Sequence, residues 1–164
     1  MFREMRRSSQ SLPQEECERI LREGKTAVLA LAGDDGYPYA VPVNYVYDSG
    51  KIYFHCARSG HKLDALRRCE RVSACVVDRD DVAPERLATD YMSVIVFGRA
   101  RILGSGEEIY RAVERLGLKC NPDRTVVERE IRRERDALCC VEITIDHITG
   151  KQGKELARRR RSGE

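Results

Sequence analysis

TAVLALAGDDGYPYAVPVNYVYDSGKIYFHCA, residues 26–57, decides the fold. The apolar run TAVLALA at 26–32 stops at Gly33-Asp34-Asp35-Gly36, YPYAVPVNYVY at 37–47 stops at Asp48-Ser49-Gly50, and KIYFHCA follows at 51–57. Apolar, β-branched and aromatic runs separated by DG and SG turns read as three strands of an antiparallel meander. Upstream, Pro13 and QEECERILREG predict a short covering helix with Ile20 and Leu21 inward and Gly24 as its C-cap. Downstream, Gly60 to Cys69 reads as a second short helix, VSACVVD at 72–78 as a fourth strand, and 79–90 as a charged connection. YMSVIVFGRARILG at 91–104 is too rich in β-branched residues for a helix and makes a long fifth strand, with Gly98 a bulge or a point of close approach. Glu107 to Leu118 is amphipathic, with Ile109, Val113 and Leu116 on one helical face; 124–136 is a highly charged helix, and 137–150 a sixth strand. Six antiparallel strands with peripheral helices predict a mainly β fold, a small closed barrel, because closure removes aggregation-prone edges.

A chain of 164 residues suffices for one core without disulfides or a structural metal, and we read residues 1–151 as one domain and 152–164 as a basic tail. Lys and Arg total 30 against 27 Asp and Glu, and Arg158, Arg159, Arg160 and Arg161 supply much of the excess. The rest is nearly neutral, which argues against a dedicated nucleic-acid binder and makes the Arg run a solvated tail. No stretch approaches a membrane span and the N-terminus lacks the apolar segment of a secretory signal. Seven cysteines without a CxxC pair fit reduced thiols and give no metal site. The expected location is the cytoplasm.

Chemistry concentrates in YFHCARSGHKLDAL, residues 53–66. A strand ends at Ala57, a helix begins near His61, and Arg58, Ser59 and Gly60 lie between them. A helix start offers unpaired N–H groups and partial positive charge, to which Arg58, His61 and Lys62 add cationic donors. Gly60 permits close approach of a ligand, and Ser59 serves as N-cap. The pattern reads as a phosphate site or, equally, as an ordinary connection with solvated basic residues. His55 alternates with Phe54 and Cys56 and so points to the opposite face, as a structural histidine or as part of a site. Tyr37, Tyr39, Tyr45, Tyr47 and Tyr53 offer ring-stacking surfaces or simply barrel packing. Pro42 cannot donate to a ladder, so its strand is irregular or at an edge, and Asn44 either offers its amide to a ligand or makes a ladder contact.

GYPYAVPVNYVYDSGKIYFHCARSGHKLDAL at 36–66, YMSVIVFGRARIL at 91–103 and ITGK at 148–151 together resemble the pyridoxamine 5'-phosphate oxidase-related split barrels, in particular the nitroimidazole-resistance branch. The resemblance covers about residues 5–151. It implies a six-stranded antiparallel split β-barrel of the FMN-binding type and a homodimer with two flavin mononucleotide sites at the subunit interface. It assigns the phosphate to Arg58, Gly60, His61 and Lys62, where the helix-start argument also places an anion. It sets Val41, Pro42, Val43 and Asn44 along the ring or ribityl chain, His55, Cys56 and Ala57 beside it, and Ser93 completing the pocket, with Lys151 reaching the partner subunit's cofactor. It makes His55 the candidate catalytic residue. Authentic pyridoxamine phosphate oxidases hold substrate phosphate with C-terminal Arg and His residues that GKELARRRRSGE at 153–164 does not match, so vitamin B6 oxidation is not expected. Some relatives bind a deazaflavin or haem instead.

The resulting expectation is a flavoenzyme that reduces a small acceptor, including nitroaromatics, with His55 as proton donor or orienting group. No GxGxxG follows a strand, so a nicotinamide donor would bind only transiently. The alternatives are a non-catalytic flavin-binding or redox-sensing protein using Cys56, and an RNA-associated protein using the Arg tail.

Overall fold

The structure is a computed structural model that describes residues 2–134 and 137–163. Its elements are α1 Gln14–Glu23, β1 Thr26–Ala32, β2 Pro38–Asn44, β3 Val46–Asp48, β4 Lys51–Cys56, α2 His61–Arg68, β5 Arg71–Ala83, β6 Ala88–Ile102, α3 Gly106–Cys120, α4 Arg124–Glu134, β7 Cys139–Gln152 and α5 Lys154–Ser162. The strands form one antiparallel sheet in the order β2-β1-β5-β6-β7-β4-β3. The fold is mainly β and split, as the resemblance implies, but the described residues form seven strands rather than six, and no continuous ladder closes them into a barrel.

Both corrections originate at Tyr45. The single strand expected over 37–47 breaks there into β2 and β3, which are consecutive in the chain yet stand at opposite ends of the sheet order. The meander is therefore two separate pairs, β1 with β2 and β3 with β4. Tyr45 is buried, its Oη donates to the Leu21 carbonyl of α1 at 2.8 Å, and Lys119 of α3 donates to the Tyr45 and Gly24 carbonyls. Anchoring this one residue carries the chain across the core, so the sheet curls with its two ends facing each other. The β3–β4 hairpin turns through Ser49 and Gly50, both at positive φ, the requirement of a two-residue loop matched to strand twist.

Leu29, Phe54, Val76, Val94, Val96, Val141 and Ile143 fill the interior, with Ile20 and Leu21 of α1 closing one side as expected. Full burial of each such side chain contributes about 2 kcal/mol. α1 ends at Gly24, whose N–H bonds the Ile20 carbonyl at 2.9 Å. A second cluster of Tyr53, Leu103, Ala112 and Cys140 lies beneath α3, a helix opened by a capping box between Ser105 and Glu108. Gly98 is both a bulge and a close approach: the β6–β7 register shifts between Phe97 and Gly98, and a Cβ there would meet the Thr144 carbonyl and lie 2.9 Å from Ile143 Cγ2.

Residues 79–90, expected as a connection, instead extend the β5–β6 ladder from Arg79↔Met92 to Ala83↔Ala88. Most of this ribbon is exposed, with Ala83 and Asp90 its buried members, so its strands lack the apolar alternation by which strands are recognised. The segment expected as a basic tail starts with the last residue of β7 and continues as α5, with Ala157 buried and Arg161 donating to the Ser9 carbonyl at 2.9 Å. The last two residues of the helix expected over 124–136, and residues 1 and 164 of the expected domain and tail, lie outside the described residues. No described helix is long and apolar enough to cross a membrane. Among the described residues no group of His, Cys, Asp and Glu is arranged to hold a metal.

One buried ionic network links three strands. Glu142 of β7 accepts from Lys51 Nζ and Tyr53 Oη at 3.0 Å each, and from Arg101 at 3.2 Å. Burial pushes its carboxyl up, but those hydrogen bonds outweigh it and hold the group below the ordinary carboxylate value, while burial and Glu142 push Tyr53 up to about 12. Glu142→Gln keeps the shape and removes the charge; because Lys51 and Arg101 are partly solvated, the expected loss is about 1–2 kcal/mol at pH 7. A folded-state value below the unfolded one stabilises above the unfolded value of 4.5 and loses that contribution as pH falls through the folded one. Denaturant unfolding at pH 7 and below pH 4 checks this: a difference between variant and parent that is undiminished in acid refutes it.

Candidate functional site

The junction after β4 is a strand end followed by a helix start, as the sequence suggests, with two changes, one at the N-cap and one at Arg58. Gly60, not Ser59, is the N-cap of α2; it sits at φ 127°, its side-chain direction is open space, and no side chain caps the helix. A residue with a Cβ rarely adopts that backbone, and an uncapped first turn leaves its N–H groups for water or a ligand. His61 and Lys62 begin the helix at this opening. The His61 ring stacks on Tyr39 of β2 with centroids 4.1 Å apart, and its Nε2 lies 3.3 Å from the Asp34 carboxylate, which also binds Arg68 at 2.6 Å. Lys62 Nζ lies 5.5 Å from the Phe54 ring centroid. Arg58 diverges: its Nε donates to the Leu138 carbonyl at 3.4 Å, and the side chain lines a depression with Tyr110 and Arg132. The structure thus brings Gly60, His61 and Lys62 together and turns Arg58 away.

β2 is an edge strand paired only with β1, as Pro42 requires, so its other edge has free backbone groups. Val43 is buried and Val41 half-buried, both inward, so at the free edge they present backbone rather than side chain; Pro42 and Asn44 face out. The Asn44 amide makes the duller contact, donating to Lys25 O and Thr26 Oγ1 at 3.2 and 3.3 Å, which leaves Oδ1 to accept. His55 is exposed between buried Phe54 and half-buried Cys56, the alternation expected, and it meets Asn44 at a cavity beside α3 and α4. Cys56 stands directly opposite Cys139, Ala57 is exposed, and burial, reinforced by Cys139, pushes the Cys56 thiol up to about 11. Of the tyrosines, Tyr45 and Tyr53 are packed and Tyr39 stacks.

Ser93 and Lys151 face each other across β6 and β7. Lys151 is near the far end of β7 from Cys139, about 35–40 Å along an extended strand, so one chain does not bring this pair to His55 and Cys56. The outer face of the sheet between these groups is apolar. Pro42, Val28, Cys75, Ile95 and Thr149 form one cross-strand row, and Ala40, Ala30, Ser73, Phe97 and His147 the next. Val28, Val77, Ile95 and Phe97 are 43%, 58%, 40% and 37% exposed on it.

Residues 13–152 match the family model for pyridoxamine 5'-phosphate oxidase. The chain belongs to that family. No protein of curated function matches it in sequence. Among solved members of the fold, a candidate 5-nitroimidazole antibiotic resistance protein from Bacteroides thetaiotaomicron superposes with TM-score 0.73 at 18% identity, over 87% of this chain and 86% of that one. An FAD-binding protein from Mesorhizobium loti gives 0.62 at 24% over 88% and 98%, and an FAD- and haem-binding protein from Mycobacterium smegmatis 0.74 at 22% over 90% and 74%. At these identities the likeness is one of fold, the split barrel. Within this pyridoxamine 5'-phosphate oxidase family member, sequence reasoning offered Tyr39 as a stacking surface without naming His61 as the ring it meets, and it missed both Asp34 as a partner of His61 and the apolar outer face. A signal for that face existed: TAVLALA, VSACVV and YMSVIVF are apolar at both strand parities, the pattern of strands covered on both sides.

Proposed function

We propose that this chain is a flavoprotein that binds flavin mononucleotide at the interface of a homodimer and passes electrons to a small acceptor. The observation that carries the reading is the uncapped start of α2, where Gly60 opens the backbone beside His61 and Lys62. That donor set suits a phosphate monoester of about −1.5 to −2 charge, and the flavin-binding proteins of the same fold support it. Bound flavin would supply the electron transfer. The chain's own part is to hold phosphate at Gly60, His61 and Lys62, to offer the free edge of β2 at Val41–Asn44 to the ring, and to move or orient a proton at the His55 imidazole. Arg58 joins the phosphate site by swinging from the Leu138 carbonyl.

The outer face supports the dimer. A solvated antiparallel sheet face is ordinarily polar, and an exposed stripe of Val28, Val77, Ile95 and Phe97 asks to be covered. A second copy covering it brings its own Ser93 and Lys151 toward this chain's His55. The redox-sensor reading is weaker, because a Cys56 thiol with its pKa pushed up to about 11 stays protonated at neutral pH and reacts slowly.

An absorption spectrum of freshly purified protein, with mass spectrometry of what heat releases, tests the cofactor. The expected result is an oxidised flavin spectrum and the mass of the mononucleotide, bleached by a reduced nicotinamide and restored by a nitroaromatic. Release of FAD, a deazaflavin or haem would replace the mononucleotide, and a colourless protein that takes up no added flavin would overturn the reading.

A further inference from the structure

A cavity of about 390 Å³ lies between the end of the sheet carrying Asn44 and His55 and the α3–α4 hairpin. Its walls are Val113 and Leu116 of α3, Val126, Val127 and Ile131 of α4, and Leu138. The volume is within the range of small-ligand sites, about 300–1,000 Å³, and suits one or two rings. Among the described residues the lining contains no Lys or Arg. Its charged members, Glu130 and Glu134, are both paired with Arg133, at 2.7 and 3.1 Å. A carboxylate or phosphate entering here would lose hydration against apolar walls with no cation to replace it, a cost of several kcal/mol. Two polar groups remain at the sheet end. Asn44 has Oδ1 to accept, and the His55 imidazole has no protein hydrogen-bond or ion-pair partner among the described residues, so it is available to donate.

We infer that this cavity is the substrate site, and that it takes an uncharged compound of one or two rings whose polar substituent meets His55 and Asn44, while rejecting carboxylated and phosphorylated compounds. The inference rests on the flavoprotein reading only for the occupant's role as substrate; the binding preference stands on the cavity. It makes the α3–α4 hairpin the specificity-determining element, and Val126, half-buried on its wall, the residue through which to alter it.

Ligand-observed NMR titration of the full chain as purified, with 4-nitrobenzamide and its charged isostere 4-nitrobenzoate, tests this. The amide should bind at least 10-fold tighter than the carboxylate. Val126→Trp, which fills the cavity, should weaken amide binding at least 10-fold with the unfolding midpoint and flavin content unchanged, and Val126→Arg should narrow or invert the preference. If Val126→Trp does not fold, Leu138→Trp makes the same test from the other wall. Equal affinity for the two probes, or amide affinity unchanged in the folded cavity-filling variant, overturns the proposal. A flavin-free protein that shows the preference and its loss keeps the cavity and sinks the flavin reading; a flavin-loaded protein that shows neither does the reverse.

Discussion

His61→Ala combined with Lys62→Ala is expected to give a folded protein that purifies nearly free of flavin. The two side chains oppose a phosphate of about −1.5 to −2 charge, and near a protein surface a unit-charge pair 4 Å apart is worth up to about 4 kcal/mol before solvent and salt discount it. We therefore expect retention to weaken about 100-fold or more, roughly 3 kcal/mol. Neither side chain is part of the buried core, and the Gly60 backbone is untouched, so the circular dichroism spectrum should match the parent's. His61→Ala also frees Asp34, whose carboxylate would then face the opening with only Arg68 as partner, adding repulsion to the lost attraction. Equilibrium dialysis against flavin mononucleotide measures the loss. A double variant that still carries stoichiometric yellow cofactor would place the phosphate elsewhere.

The second large effect is expected from Val28→Asp combined with Ile95→Asp. Both residues lie in one outward row, joined through Cys75, and both are exposed in the single chain, so the barrel interior does not feel the change. Enclosing two carboxylates in an apolar contact costs several kcal/mol each unless they find partners, more than a dimer of ordinary affinity can absorb. Light scattering after size exclusion should show a parent of twice the chain mass and a variant of one chain mass. Flavin should be lost with the partner, because Ser93 and Lys151 then have no route to a neighbouring site. A variant that remains dimeric would move the interface off this face; a monomer that retains flavin would make the site complete in one chain.

The two ends of the site differ in how far they could be read. The end proposed to hold phosphate is local: Arg58, Ser59, Gly60, His61 and Lys62 are five consecutive residues at a strand-to-helix junction, and the anion argument needs only helix-terminus electrostatics. Even there, which way Arg58 turns depended on Leu138, eighty residues away in the chain. The stacking of Tyr39 on His61 and the cavity shared by His55 with α3 and α4 depend on packing between distant segments, to which strand periodicity is blind.

By itself the sequence determined most of the strands, their turns, the covering helices and the strand-to-helix junction proposed to hold an anion, because side-chain alternation, positive-φ turn residues and helix-end polarity act over a few residues. The tertiary structure decided that the strand over 37–47 breaks at Tyr45, that β2 and β3 part to opposite ends of the sheet, that 79–90 continues a ribbon and that 154–162 docks as a helix. Each of these turns on where a buried group finds its partner, as Tyr45 finds the Leu21 carbonyl, and hydrogen bonding and burial between remote segments have no periodicity along the chain by which to be foreseen.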